Sequence, residues 1–304
     1  MRFYKYILIG LILIKTTFCF TQDVEPRRWS ILPVNSQIIG AGYANSFGEV
    51  LFDPLLEAED VSVNVSTIVT SYIRSFRLGN KLARIDVTVP YNFIRFEGTL
   101  SGNPASLYRN GFGDSRIRFS VNLNGPPPGT IKDIQKFNAE HPVNTIFGAS
   151  LAVNLPTGQY FDEKLINIGQ NQIVIRPQFG MVHTWQSWSY ELTGSIFIFT
   201  NNNNFFGGKT KKQDPILALQ SHLIKRFSSK LWASISASYG IGGESVVNNV
   251  SNADLRTNLL SALSTGLKIS KRQNLKFVFL NSTTLKDLGS NTNSIIVGWS
   301  HIFF

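Results

Sequence analysis

The segment from Gln172 to Thr200 places the strongest constraint on the fold, because it reads as two long strands joined by a very short turn at 185–188. Each half alternates apolar residues with polar or small ones, and this period of two is typical of strands with one buried or lipid-facing side. A strand of about ten residues with this pattern can line a large soluble sandwich or cross a membrane within a barrel. Features elsewhere in the chain favour the barrel.

The amino-terminal residues predict export. Met1 to about Thr21 combines the basic residues Arg2 and Lys5 with a short apolar run, which is typical of a secretory signal and too short for a membrane helix. We expect cleavage after Thr21, which removes Cys19 and leaves the mature chain without thiol chemistry. We predict a signal peptide at 1–21, a periplasmic or plug segment at 22–35 and a barrel domain at 36–304.

An exported chain without a later apolar run of membrane-helix length, but with many alternating strands, is typical of the bacterial outer membrane. We therefore predict an all-β fold, a closed antiparallel transmembrane β-barrel of about 12 strands, an even number as in bacterial single-chain barrels. The predicted strands are 37–45, 61–76, 82–93, 114–123, 143–155, 172–184, 189–200, 215–227, 231–241, 256–269, 274–282 and 294–304.

The connections support the barrel, because outer-membrane barrels have short turns on one side and long loops on the other. The predicted short turns are 78–81, 185–188, 228–230 and 270–273. The predicted long loops are 46–60, 94–113, 156–171, 201–214, 242–255 and 283–293. One connection on the short-turn side, 124–142, is long, and Ile131, Ile134 and Phe137 within it predict a short amphipathic helix below the barrel.

Aromatic residues provide a further check, since they collect at membrane interfaces. All five tryptophans fall at the predicted periplasmic level. The chain ends on Ile302-Phe303-Phe304, which resembles the assembly signal of outer-membrane barrels. The expected partners are therefore outer-membrane lipid and, through the C-terminal Phe304, the barrel assembly machinery.

The polar faces of the strands supply a candidate solute path, provided that the apolar faces meet lipid. Basic residues outnumber acidic ones on these faces, so the path would have a positive bias. The same side chains could instead fill the lumen with salt bridges, and the sequence leaves both alternatives open. The candidate lumen residues are Arg74, Arg84, Asp86, Asp114, Arg116, Arg118, Arg176, Gln178, Glu191 and Arg256.

Enzymatic and nucleic-acid functions have little support. The four histidines show no metal-ligand spacing, and the chain has no G-x-S-x-G motif. We expect no catalytic residue, no cofactor and no metal. The net charge of +10 is spread along strands and turns rather than concentrated in a patch, so we expect no nucleic-acid partner.

Several short motifs occur in order along the chain: 25–27 (EPR), 113–114 (GD), 118–123 (RFSVNL), 155–160 (LPTGQY), 165–171 (LINIGQN) and 176–180 (RPQFG). Together they resemble the outer-membrane barrel family labelled "putative meta-pathway of phenol degradation". The resemblance covers nearly the whole mature chain. It implies a transporter of small hydrophobic compounds that is associated with the degradation of aromatics.

The sequence therefore predicts passive uptake of small hydrophobic or aromatic compounds. One alternative is a general porin that favours anions. Another is a plugged structural or recognition barrel whose long loops bind a partner.

Overall fold

The computed structural model describes residues 24–51 and 58–303. The predicted signal peptide at 1–21 and the terminal Phe304 lie outside these residues. The elements are β1 (Gln37–Leu51), β2 (Ala58–Leu78), β3 (Lys81–Leu100), β4 (Asn103–Phe112), β5 (Ser115–Asn122), α1 (Ile131–Glu140), β6 (Val143–Leu155), β7 (Val174–Trp185), β8 (Trp188–Phe199), β9 (Asn202–Phe205), β10 (Lys209–Gln213), β11 (Ile216–Arg226), β12 (Leu231–Gly242), β13 (Ser245–Val247), β14 (Val250–Ser251), β15 (Arg256–Lys268), β16 (Gln273–Thr284) and β17 (Gly289–Phe303).

The main sheet closes on itself, since β1 pairs antiparallel with both β2 and β17. β4 and β5 both pair with β3: β4 pairs with residues 91–100 of β3, and β5 pairs with residues 83–88. The two strands therefore share one position in the wall, and the barrel has 12 positions. The predicted closed antiparallel barrel is confirmed.

Side chains alternate between the lumen and the outer surface along each strand. On β12, Ser234, Ser236 and Ser238 are at most 4% exposed, whereas the intervening Ile235 is 66% exposed. An apolar side chain is more stable in lipid than in water, whereas a hydroxyl group is not. The pattern is therefore that of a membrane-spanning wall.

The connections divide as predicted into a short-turn end and a long-loop end, but the long loops are more ordered than the sequence indicates. β3 and β4 continue as a hairpin through the predicted loop 94–113. β9, β10, β13 and β14 form a separate four-stranded sheet from the predicted loops 201–214 and 242–255. The polar residues there lack the apolar alternation on which the strand prediction depends.

The predicted helix in 124–142 is present as α1. It begins with a capping box, in which the Thr130 side chain accepts from the Asp133 backbone and the Asp133 carboxylate accepts from Thr130. The preceding loop contacts the barrel, because Arg77 Nη2 donates to the Pro128 carbonyl at 2.6 Å. Within 24–51 and 58–303, no helix has the length and apolar character needed to cross a membrane.

The tryptophans do not all mark the membrane interface. Trp299 is 37% exposed on the outer face. Trp185 and Trp188 lie opposite each other at a short turn, on the outward phase of their strands. Trp29 is 1% exposed, and Trp232 lies on the lumen side, on the same face as the buried serines of β12. These two do not contact the membrane interface: Trp29 belongs to the N-terminal segment and packs inside the barrel, and alternation along β12 turns Trp232 toward the lumen whatever its depth.

The turn between β2 and β3 provides a test of the fold. Gly79 has φ +58°, a conformation that costs an L-residue about 1–2 kcal/mol. Gly79→Ala should lower the free energy of unfolding by about 1 kcal/mol in urea titrations of detergent-solubilised protein. Gly194→Ala is the control, because Gly194 lies within β8 and an added Cβ there meets no atom within 4 Å. Equal stability of the two variants would contradict this assignment of the turn.

Candidate solute path and the N-terminal segment

Antiparallel register brings most of the predicted lumen residues together on the inner wall. Asp86, Arg118, Ala152 and Arg176 are consecutive cross-strand neighbours on β3, β5, β6 and β7. Directly paired residues share a face, with Cβ atoms about 5 Å apart. Asp86 and the two arginines therefore lie in one row, with Ala152 between Arg118 and Arg176.

A parallel row lies next to the first one on the same wall. Arg84, Ser120, Ser150 and Gln178 are cross-strand neighbours along it. Arg84 Nε lies 3.2 Å from Asp86 Oδ1, and Ser150 donates to Gln178 Oε1 at 3.0 Å. Two rows of polar and charged side chains thus face inward from β3, β5, β6 and β7.

The N-terminal segment, residues 24–36, lies against this wall through ion pairs. Glu25 Oε1 accepts from Arg118 Nη2 at 3.1 Å and from Arg116 Nη2 at 3.3 Å, and Arg118 Nη1 contacts Oε2. Burial by itself would raise the pKa of Glu25, but the positive charges of Arg118 and Arg116 outweigh it and hold the pKa well below its usual value of 4.5.

Arg28 makes the second set of contacts between the segment and the wall. Its Nη1 lies 2.6 Å from Asp86 Oδ2, and its Nη2 donates to the Ser120 hydroxyl. Its backbone N–H donates to Glu191 Oε2 at 3.1 Å. Because the Arg28 and Asp86 side chains are both largely buried, each compensates a charge that would be costly alone.

Trp29 anchors the segment by packing and by one hydrogen bond. Its Nε1 donates to Thr193 Oγ1 at 2.8 Å. Its ring lies directly on Gly148 and Gly180, where an added Cβ would overlap ring atoms. Glycine at both positions is therefore what lets the indole approach the backbone of β6 and β7.

Two predicted lumen residues, Arg74 and Asp114, lie elsewhere, and a third, Arg256, lies in the inward phase of its strand at one end of the wall. The Arg74 side chain is exposed on the outer face, because its neighbour Ser75 is 0% exposed and contacts Pro33 of the N-terminal segment. Its predicted lumen position is wrong. Asp114, between β4 and β5, accepts the backbone N–H groups of Gly158 and Gln170, both at 2.9 Å, and so fixes a long loop. Arg256 begins β15 at the long-loop end.

The lumen becomes apolar toward the long-loop end. On one side, inward-facing residues of β1, β2 and β3 form a cluster that contacts Ile166 and Ile168 of loop 156–173. That cluster is Val50, Val63, Val65, Ile94 and Phe96. On the other side, a cluster comprises Val174, Phe197, Ile216 and Ala218. The Arg176 guanidinium lies 4.3 Å from the centre of the Phe197 ring, which joins the apolar and basic surfaces.

Sequence reasoning did not assign Glu25, Arg28 and Trp29 to the site, although the motif at 25–27 was noted. Isolated glycines in the strands at Gly148 and Gly180 were the available signal, since glycine within a strand indicates close approach of another group. No periodicity tells which group approaches. Within 24–51 and 58–303, no group of three or more His, Cys, Asp or Glu residues is arranged to hold a metal ion.

Comparison with known proteins agrees with this architecture. Residues 41–294 match the family described as "Putative MetA-pathway of phenol degradation". The chain belongs to this family. Among curated proteins, none matches the chain.

Solved structures with a similar fold come from outer membranes. The COG4313 outer membrane channel from Pseudomonas putida F1 superposes with a TM-score of 0.78 at 17% identity, over 92% of this chain and 100% of that one. The β domain of the Bordetella autotransporter BrkA gives 0.51 at 8% identity, over 88% and 100%. The protein is thus an outer-membrane β-barrel, whose outer face meets lipid.

The ion pairs of Glu25 predict a pH response. Because the pKa of Glu25 in the docked segment lies below 4.5, the ion pairs stabilise docking fully above that pH and are lost as pH falls through the docked pKa. Conductance in planar bilayers should therefore rise on acidification below about pH 4.5. Glu25→Gln should show the raised conductance already at neutral pH, since docking loses about 2 kcal/mol.

The control is Glu97→Gln, because Glu97 pairs with Arg95 on the exposed outer surface of β3. It should leave conductance and its pH profile unchanged. A Glu25→Gln channel that behaves like the parent at every pH would refute this role of the ion pairs.

Proposed function

We propose that the protein is a passive channel for uptake of small hydrophobic or aromatic compounds, and that the N-terminal segment closes it at rest. The observation that carries the proposal is the lumen's change in character, from two apolar clusters at the long-loop end to the row of Asp86, Arg118 and Arg176 deeper inside. The description of the family refers to phenol degradation, which supports the same class of solute.

The apolar cluster around Phe96 gives a physical reason for entry of such a solute. Ile166 and Ile168 of loop 156–173 contact this cluster, while Asp114 holds the loop at Gly158 and Gln170. An apolar solute can replace the isoleucine contacts without leaving a polar group unpaired, whereas a sugar cannot. The isoleucine surface of the loop therefore favours ring-shaped or hydrophobic molecules.

The basic inner wall adds a preference for solutes that also carry negative charge. Arg84, Arg116, Arg118 and Arg176 face the lumen, and Arg176 lies directly on an aromatic ring. A guanidinium next to a phenyl group can bind a carboxylate while the phenyl packs on the solute's ring. Movement follows the concentration gradient, so neither a covalent step nor a cofactor is part of the proposal.

The second candidate is a plugged recognition barrel, which the buried contacts of Trp29 and Arg28 favour. In that case the four-stranded sheet of β9, β10, β13 and β14 would bind the partner.

Uptake by proteoliposomes separates these functions. Purified protein is reconstituted and compared with protein-free liposomes for entry of labelled toluate, sucrose and chloride. Selective entry of toluate supports the aromatic channel, and equal entry of all three supports a general porin. Entry of none, also with Glu25→Gln, supports the recognition barrel and overturns the proposal.

Arg176 offers a residue-level prediction for this assay. Arg176→Gln should reduce toluate flux by about tenfold, since one charge-assisted hydrogen bond contributes about 1.5 kcal/mol. Arg74→Gln is the matched control, because Arg74 is an exposed arginine on the outer face. Equal loss of flux in both variants would show that the reduced flux does not result from a change in the lumen.

A further inference from the structure

A second polar surface lies on the inner wall away from the charged rows. Glu191, His222 and Ser236 are direct cross-strand neighbours on β8, β11 and β12. They are 0%, 1% and 3% exposed, respectively. Because directly paired residues share a face, all three side chains point into the lumen, with Cβ atoms about 5 Å apart.

Each of the three side chains has a buried polar atom with no hydrogen-bond partner in the part of the chain that the structure describes: Glu191 Oε1, His222 Nδ1 and Ser236 Oγ. The other oxygen of Glu191 already accepts from the backbone of Arg28. The hydroxyls of the surrounding buried residues also have no partner there, namely Ser195, Ser234, Ser238 and Ser264.

Such a surface is not what a wall needs for stability. A buried polar atom without a partner costs about 1–3 kcal/mol, and barrels that only fill their lumen can use apolar or mutually bonded side chains. The charged rows around Asp86 and Arg118 do bond with each other and with the N-terminal segment. The second wall bonds with the segment only neutrally, through Glu191 with the Arg28 backbone and through Thr193 with the Trp29 indole. The contrast between the two walls indicates that the unpaired atoms around His222 become available to a solute when the segment is displaced.

The chemistry of the row favours a ligand that donates hydrogen bonds. Nδ1 of His222 accepts when the proton is on Nε2, and the free oxygen of Glu191 accepts when the carboxyl group is ionised and donates when it is protonated. The Ser236 hydroxyl can accept or donate. A solute carboxylate would place its acceptor oxygens against the acceptor atoms of the row. Two adjacent hydroxyl groups, in contrast, would each form a hydrogen bond with a different residue of the row.

We propose that Glu191, His222 and Ser236 form a binding site in the lumen for solutes that carry a vicinal diol. The proposal rests on the proposed function for its route into the lumen, and it deepens that function by naming a solute class. Ser234 and Ser238, one step along β12 on either side, extend the site along the strand. The diol can belong to an aromatic or to a saturated ring, because the row binds the hydroxyl groups and not the ring itself.

Calorimetric titration of the detergent-solubilised full-length barrel tests this directly. The probes are catechol and cyclohexane-1,2-diol, each compared with 1,2-dimethoxybenzene, which keeps the ring and both oxygens but cannot donate. We expect at least one diol to bind about tenfold or more tightly than the ether, since a site built for hydroxyls discriminates against analogues that lack them. Binding of only one of the two diols would show whether the site prefers an aromatic or a saturated ring.

Variants locate the site. Ser236→Ala removes a hydroxyl that has no partner, so the melting temperature should not fall, while diol affinity should drop by about threefold to tenfold. His222→Leu should weaken diol binding at least as much. The control is Ser261→Ala, because Ser261 lies exposed on β15. Equal binding of ether and diols, or unchanged diol affinity in both lumen variants, would overturn the proposal.

Failure of this proposal is distinguishable from failure of the proposed function. Diol binding that depends on Ser236, without toluate uptake by proteoliposomes, would refute the aromatic channel and leave the site standing. Toluate uptake without diol binding would refute the site alone.

Discussion

Closure of the sheet is the constraint on which the rest of this structure depends. A backbone N–H or C=O group in lipid has no water to bond with, so each strand must have a partner on both sides. The pairing of β1 with β17, from Gln37 with Phe303 to Leu51 with Gly289, removes the last free edges. Each antiparallel pairing around the closed wall fixes the register of its two strands, and the registers together determine which side chains meet inside.

The inner wall has two chemically different sides as a result. On β3, β5 and β7, arginines would repel one another if they faced the lumen alone, and Glu25 and Arg28 of the N-terminal segment complete an alternating arrangement of charge with Asp86 and Arg118. On β8, β11 and β12 the wall is mostly neutral and rich in hydroxyls around His222. The first side holds the segment through ion pairs, whereas the second contacts it through Glu191 and Thr193 and keeps unpaired polar atoms around His222.

Local pattern predicted much of the fold and part of the site. Arg84, Asp86, Arg118 and Arg176 lie on the inner wall, in the phase that the alternation along their strands indicates. Arg74 lies on the outer face, because in the first half of β2 the outward residues such as Asn64 are polar and the inward Val63 and Val65 are apolar, which inverts the pattern and the inferred phase.

The sequence by itself determined the barrel, its 12 wall positions, the two kinds of connection and the helix at Ile131–Glu140, because these follow from alternation and turn chemistry within short stretches. Only the tertiary structure decided that Trp29 lies on Gly148 and Gly180, and that Glu191 meets His222. Such contacts join residues far apart in the chain. Register and closure create them, and no local pattern encodes a partner across the lumen.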